Sequence, residues 1–249
     1  MSNRWLAALP VYNEVGSVNG VLDEVLKYAD NVLAVDDGSS DGTSELLDQR
    51  EDIALIRHNV NRGYGAALLS AFQHAIDQEY EFLVTLDCDG QHQPKRIPRF
   101  VQACRNADIV SGSRYLKTYE GDSAPPPERM FINRQITSDI NERLGLCLTD
   151  SFCGFKAYRV EALKRFDILD VGYAMPLELW VQAAMQRMSI IEVPVPLIYL
   201  DLSRSFGGSL DHAETRMKYY HEVLDRSIAA MEARGFQLPK SVACCGDPG

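Results

Sequence analysis

The chain has 249 residues, of which 46% are hydrophobic and 24% charged, and this balance is typical of a globular protein with a large core. Its 25 basic and 35 acidic residues give a formal net charge of -10, which argues against general nucleic-acid binding because phosphate backbones need a basic surface. No stretch has the length of a membrane-spanning helix or the pattern of a signal peptide, so we expect a cytoplasmic protein. We expect one large α/β domain over residues 1–238 and a frayed tail over 239–249.

Short apolar runs alternate with helical patterns along the chain. The apolar runs predict strands at 5–11, 31–35, 53–57, 82–86, 109–112, 155–158 and 190–195. Helical periodicity predicts helices at 18–26, 94–104, 130–146, 176–188 and 212–234, with further helices after the turns at 36–43 and 59–65. This alternation predicts a mostly parallel central sheet that is covered by helices on both faces.

A long irregular segment interrupts this pattern between residues 118 and 128. It contains Gly121 and three consecutive prolines, and it shows no apolar periodicity. We expect it to be a poorly packed, mobile loop that acts as a lid.

Two carboxylates follow the central apolar run. Asp87 and Asp89 are spaced so that both can turn toward one point beyond the strand end, and Gln91 offers a neutral oxygen to the same point. Carboxylates held close together repel each other unless a cation lies between them, and a hard divalent cation prefers oxygen ligands. Taken alone, this pattern fits an ordinary solvated loop equally well.

Polar residues also follow two other predicted strands, at 12–14 and at 36–39. Because parallel strands end at the same edge of a sheet, these loops and the Asp87 loop are expected to line one ligand site. Residues 61–65 open a helix with two glycines that allow close approach of a phosphate-bearing ligand. They lack the spacing of a dinucleotide-binding turn and of a P-loop.

These segments resemble the family 2 glycosyltransferases of GT-A fold, and within them the dolichol- or polyprenyl-phosphate mannose or glucose synthases. The similar segments occur in order over nearly the whole chain, at 9–14, 35–43, 61–65, 86–94, 112–115, 150–156 and 192–195. The resemblance implies an inverting, metal-dependent transfer of a hexose from a GDP- or UDP-sugar to polyprenyl or dolichyl phosphate. Two alternatives are transfer to a sugar hydroxyl in cell-wall or exopolysaccharide synthesis, and a regulatory protein that binds nucleotide-sugars without turnover.

The resemblance also implies roles for individual residues. Contacts to the nucleotide-sugar donor would come from Pro10, Tyr12, Glu14, Asp37, Asp87 and Cys88. Asp89 and Gln91 would hold Mg2+ or Mn2+ on the diphosphate, and Arg114 and Arg204 would contact phosphate groups.

The acceptor decides whether the reaction needs a general base. A phosphate oxyanion needs none, whereas a hydroxyl must lose its proton to a carboxylate. Asp150 is the candidate for this base, and Glu178 is the alternative, unless it is an ordinary helix-surface residue.

One departure from the family pattern concerns the acceptor. The lipid-phosphate synthases end the Arg204 region with the pattern Arg-x-x-Gly-x-Ser-Lys, whereas Leu210 stands here in place of the lysine. The acceptor is therefore left open between a lipid phosphate and a glycan. Any contact with a membrane would be peripheral, at the cytoplasmic face. The donor base, the donor sugar and the choice between a monomer and a homodimer also stay open.

Overall fold

A seven-stranded sheet forms the centre of the computed structural model, which describes residues 4–200 and 212–239. Its strands are β1 (Trp5–Val11), β2 (Val32–Asp36), β3 (Ala54–Arg57), β4 (Phe82–Thr85), β5 (Ile109–Ser113), β6 (Lys156–Arg159) and β7 (Ile190–Pro194). Their order in the sheet is β3-β2-β1-β4-β6-β5-β7. The predicted strands are therefore all present, with ends that shift by at most one residue.

Helices pack on both faces of this sheet. They are α1 (Val18–Val25), α2 (Thr43–Asp48), α3 (Tyr64–Asp77), α4 (Ile97–Cys104), α5 (Pro127–Leu144), α6 (Val160–Leu163), α7 (Met175–Met185) and α8 (Ala213–Ala233). Successive side chains of β1 enter different cores: Leu6 and Ala8 pack with α3, α5, α7 and α8, while Ala7 and Leu9 pack with α1 and α4. Because both faces of the strand are buried, its sequence is a continuous apolar run.

Strand β6 departs from the parallel pattern. It lies between β4 and β5 and runs antiparallel to both, with Ala157 opposite Val84 and Val110. The other paired strands are parallel, which confirms the predicted mostly parallel sheet. Because β6 runs in the opposite direction, its first residue lies beside the last residue of β4, and residues 150–155 reach the edge where the parallel strands end.

Several helices differ from the prediction, among them α7, which ends at Met185 and not at Met188. Helix α5 begins at Pro127, earlier than expected, since proline is favoured in a first helical turn. It ends before Gly145, which has a left-handed conformation. A 3-10 turn at Pro94–Arg96 precedes α4, and the short helix α6 was not predicted.

The loop before α5 is not poorly packed, contrary to the sequence prediction. The backbone N–H of Ser123 donates to the carbonyl of Leu197 at 2.7 Å. Asp122 accepts from the backbone N–H of Leu197 at 2.9 Å, and the Tyr119 hydroxyl donates to the carbonyl of Pro194 at 3.2 Å. These bonds attach the loop to the segment that follows β7.

Within the described part of the chain, no helix has both the length and the apolar composition that crossing a membrane requires. Residues 240–249 of the predicted tail lie outside the described residues.

Candidate active site

A cleft of about 560 Å³ opens where β1, β2 and β4 end. It brings together most of the predicted site residues: Pro10, Tyr12, Glu14, Asp37, Asp87, Cys88, Asp89, Gln91 and Arg114. These residues are far apart in sequence, and they converge because parallel strands place their carboxyl ends at one edge. Arg204 and Leu210 lie outside the described residues.

Asp37 follows β2 and is almost fully buried. Its Oδ1 lies 2.6 Å from Nδ1 of His58 and accepts the backbone N–H of Arg62 at 2.9 Å. Its Oδ2 accepts the backbone N–H of Gly63 at 2.8 Å. The other ring nitrogen of His58 lies 2.8 Å from Oγ of Ser70. Asp37 therefore connects β2 to the glycine-containing loop before α3.

His58 is a site residue that the sequence analysis missed. It stands directly after β3, at the same sheet edge as the predicted loops. A polar residue at that position was the available signal, but a single histidine after a short strand is common in ordinary loops.

Asp87 accepts the hydroxyl of Tyr64 at 3.1 Å and lies 3.1 Å from Nε2 of His92. Gly154 packs so closely against this carboxylate that a side chain at Gly154 would overlap it. Burial alone raises the pKa of Asp87, but the hydrogen bond and charge of His92 and the Tyr64 hydroxyl lower it more. The pKa of Asp87 therefore lies below its ordinary value, and the carboxylate is ionised at neutral pH.

Asp89 and Gln91 present oxygen atoms at the same cleft. Oδ1 of Asp89 accepts the backbone N–H of Gln91 at 2.9 Å, which orders the turn between them. Among the described residues, no group of three or more His, Cys, Asp or Glu side chains forms a complete metal site. The donor set fits Mg2+ or Mn2+ nevertheless, since such a cation is commonly held by one or two carboxylates together with substrate phosphates and water.

Arg114 and Asp150 form a bidentate ion pair beside the cleft. Nε of Arg114 lies 2.6 Å from Oδ2 of Asp150, and its Nη2 lies 2.9 Å from Oδ1. Asn133 also donates to Oδ1, at 2.8 Å. Burial raises the pKa of Asp150, but the charge and hydrogen bonds of Arg114 and the bond from Asn133 lower it below its ordinary value.

This environment does not support the expected role of Asp150 as a general base. Its side chain is fully buried and its oxygens already accept several hydrogen bonds. The alternative, Glu178, is not on the helix surface: it is buried and accepts the backbone N–H groups of Leu169 and Asp170 at 3.0 and 2.7 Å. Glu178 does not line the cleft.

Two arginines that the sequence analysis did not single out also line the cleft. Arg129 lies on α5 and Arg216 on α8, so three arginines from the second half of the cleft lining, Arg114, Arg129 and Arg216, contribute positive charge to it; we call these three residues its arginine side. The ends of β1, β2 and β4 form its acidic side, with Glu14, Asp37, Asp87 and Asp89. Sequence periodicity places Arg216 on a predicted helix and Arg129 one residue before another, but it does not show that the two helices meet at the sheet edge.

Residues 7–166 match the sequence profile of the family described as Glycosyl transferase family 2. Undecaprenyl-phosphate mannosyltransferase of Micrococcus luteus is 33% identical over 224 residues, which cover 84% of this chain and 90% of that protein. Polyprenol monophosphomannose synthase of Mycolicibacterium smegmatis is 31% identical over 232 residues, which cover 85% of this chain and 84% of that protein.

Solved structures show the same fold at low sequence identity. Glucosyl-3-phosphoglycerate synthase from Mycobacterium tuberculosis, in complex with phosphoglyceric acid, superposes with a TM-score of 0.70 at 17% identity over 96% of this chain and 82% of that chain. The same enzyme with Mn2+, uridine-diphosphate and phosphoglyceric acid gives a TM-score of 0.68 at 16% identity over 96% and 81%. The chain therefore belongs to glycosyl transferase family 2 and is a glycosyltransferase of GT-A fold.

Proposed function

We propose that the protein transfers a hexose from a nucleotide-diphospho-sugar to a polyprenyl phosphate. The observation that carries this proposal is a single cleft with an acidic side and an arginine side. The names of the two sequence relatives, which refer to undecaprenyl phosphate and to polyprenol, support the lipid phosphate as acceptor and mannose as the sugar.

The acidic side would bind the donor. Tyr12, Glu14 and Asp37 would contact the base and ribose, and Asp89 and Gln91 would hold a divalent cation. When bound, Mg2+ or Mn2+ would offset the negative charge that develops on the departing diphosphate. Asp37 suits its role because His58 and two backbone N–H groups fix its carboxylate before any ligand arrives.

The arginine side would bind the phosphate of the acceptor. A phosphate oxygen would attack the anomeric carbon while the bond from that carbon to the diphosphate breaks, which gives a lipid-linked sugar phosphate and a nucleoside diphosphate. A phosphate monoester carries its charge at neutral pH, so no general base is needed. Arg114, held rigidly by Asp150, would orient this phosphate.

Transfer to a sugar hydroxyl is less well supported. It requires a carboxylate that can take a proton, but Asp150 is committed to Arg114 and Glu178 is buried away from the cleft. We therefore retain the lipid phosphate as acceptor. Such an acceptor requires peripheral contact with the membrane face that carries it.

The test is a screen of donors and acceptors. GDP-mannose, UDP-glucose and UDP-N-acetylglucosamine are each incubated with undecaprenyl phosphate in detergent micelles, with and without Mn2+, and the release of nucleoside diphosphate is measured. One donor should give release that depends on both the lipid phosphate and the cation, with a glycolipid product by mass spectrometry. Undecaprenol without its phosphate serves as the control. Transfer to soluble sugars but not to undecaprenyl phosphate would contradict the proposal.

A further inference from the structure

Arg216 and Glu128 form an ion pair whose two partners differ in their surroundings. Nη2 of Arg216 lies 2.7 Å from Oε1 of Glu128. The Arg216 side chain is only 4% exposed, whereas that of Glu128 is 54% exposed. Arg216 lines the cleft.

This difference decides which partner can leave the pair. A buried guanidinium without an anionic partner is costly, and arginine cannot lose its proton to avoid that cost. Glu128 can turn into water, where its carboxylate is well solvated. Asp150, the partner of Arg114, is fully buried and has no such route to water.

An incoming phosphate is well suited to replace Glu128. It carries more charge and more acceptor oxygens than a carboxylate, and planar guanidinium groups bind it with high preference. Glu128 stands in the first turn of α5, where an anion is favoured by the helix dipole. The same preference holds for a phosphate that takes its place.

We propose that Arg216 binds the phosphate of the acceptor, and that Glu128 holds the guanidinium in position until this phosphate displaces its carboxylate. The inference rests on the proposed function in one respect, namely that the acceptor carries a phosphate monoester. A neutral alcohol does not displace Glu128, so the ion pair also selects phosphorylated acceptors over their dephosphorylated forms.

The experiment compares three variants with the wild type on two phosphates, undecaprenyl phosphate in detergent micelles and the soluble 3-phosphoglycerate. Glu128→Gln removes the competing charge and should lower the KM of the acceptor by about two- to fivefold. Arg216→Met should raise this KM by about tenfold or more, and Arg216→Lys should recover part of the loss. The donor KM should stay unchanged.

Arg226→Met is the matched control. Arg226 lies on the same helix and pairs with Asp170 at 3.1 Å, but it does not line the cleft. This variant should leave the acceptor KM unchanged, whatever its effect on the thermal midpoint.

The outcomes separate this inference from the proposed function. If undecaprenyl phosphate is used but neither Glu128→Gln nor Arg216→Met changes its KM, the pair is structural and the inference is wrong. If the wild type does not use undecaprenyl phosphate, the proposed function is wrong, and the inference is judged by the KM for 3-phosphoglycerate. If the wild type uses neither phosphate, the equilibrium binding of both phosphates is measured instead. The inference is wrong if neither phosphate binds, or if Glu128→Gln and Arg216→Met leave the binding unchanged.

Discussion

The carboxylate of Asp150 is ionised inside the protein because Arg114 and Asn133 surround it with donors. Its folded-state pKa lies below the ordinary value of 3.8, so this group stabilises the fold above that pH. The contribution is lost as the pH falls through the folded-state pKa. Asp150→Asn should cost about 3 to 5 kcal/mol of unfolding free energy at neutral pH, because the charge of a fully buried carboxylate is lost and the partly buried guanidinium of Arg114 keeps no ionic partner there.

Urea denaturation of the wild type and of Asp150→Asn, in steps from about pH 7 to pH 3, checks this prediction. The difference between the two proteins should shrink below pH 3.8. Asp225→Asn, in an exposed pair with Arg143, is the control and should have little effect at any pH. A difference that stays constant over the whole range would show that the charge of Asp150 does not matter.

Asp89 is the residue on which the proposed metal dependence rests. Asp89→Asn keeps the size of the side chain but removes its charge, so kcat/KM should fall by about tenfold or more. The measurement is the rate of nucleoside diphosphate release over a titration of Mn2+, with the thermal midpoint as a check on folding. Full activity of this variant in the presence of a chelator would rule out the metal assignment.

His58 contacts the same carboxylate oxygen of Asp37 that accepts the backbone N–H of Arg62. His58→Ala removes one donor to the carboxylate and should weaken donor binding by about fivefold, with no change in the acceptor KM. Donor titration by calorimetry measures this effect. His74→Ala is the control, since His74 is a half-buried histidine outside the cleft lining. Equal donor affinity in both variants would show that His58 has no positioning role.

At the scale of elements, the loop before α5 and the segment after β7 behave as one unit. Asp122 joins them because it accepts the backbone N–H groups of Tyr119 and Leu197, at 2.7 and 2.9 Å. Asp122→Ala should speed hydrogen exchange at both amides, with little change in the strands. Exchange measured by mass spectrometry tests this, with the exposed Glu120→Ala as control. Unchanged exchange in Asp122→Ala would show that other contacts hold the loop.

The central strands β1, β2 and β4 could be predicted because both of their faces are buried, which makes each an apolar run followed by polar residues. The orientation of β6 could not be predicted, since a strand of four residues, Lys156–Arg159, carries no information about its direction. The acidic side of the cleft was predictable for a related reason: its residues directly follow strands.

The arginine side was not predictable in the same way. Arg129 and Arg216 lie on two helices separated by many residues, and only tertiary packing brings them together. Asp150 was expected to accept a proton as a general base. Its ion pair with Arg114 lowers its pKa and occupies its oxygens, and this pair could not be foreseen from the sequence. Contacts of this kind form between distant segments and leave no local pattern in the sequence.

At the scale of the whole molecule, the cleft joins strand ends from the first third of the chain to helices from the last two thirds. A ligand that binds the folded cleft and not the unfolded chain raises the stability by about 2.7 kcal/mol at a hundredfold excess over its Kd. For a chain of this size the thermal midpoint should rise by about 5 to 10 °C.

Scanning calorimetry with Mn2+ and the nucleoside diphosphate of the accepted donor tests this effect. Mn2+ and the nucleotide together should give the full rise of the thermal midpoint, and each alone should give a smaller rise. A chelator should remove the additional rise that the cation gives in the presence of the nucleotide. A shift from the nucleotide alone that equals the combined shift would contradict cooperative binding of the cation.

The position of β6 has a consequence for how such a gene can diversify. The residues proposed to bind the donor, up to Gln91, and those proposed to bind the acceptor, from Arg114 onward, are separated by the exposed turn at Arg105 and Asn106. With these proposed roles, a single recombination event at this turn would exchange one substrate specificity and keep the other. The two parental halves must match at β6, where the small side chain of Ala157 faces one strand from each half. The fit at β6, together with the core that α3 shares with α5, α7 and α8, would therefore limit chimeric enzymes with altered acceptors.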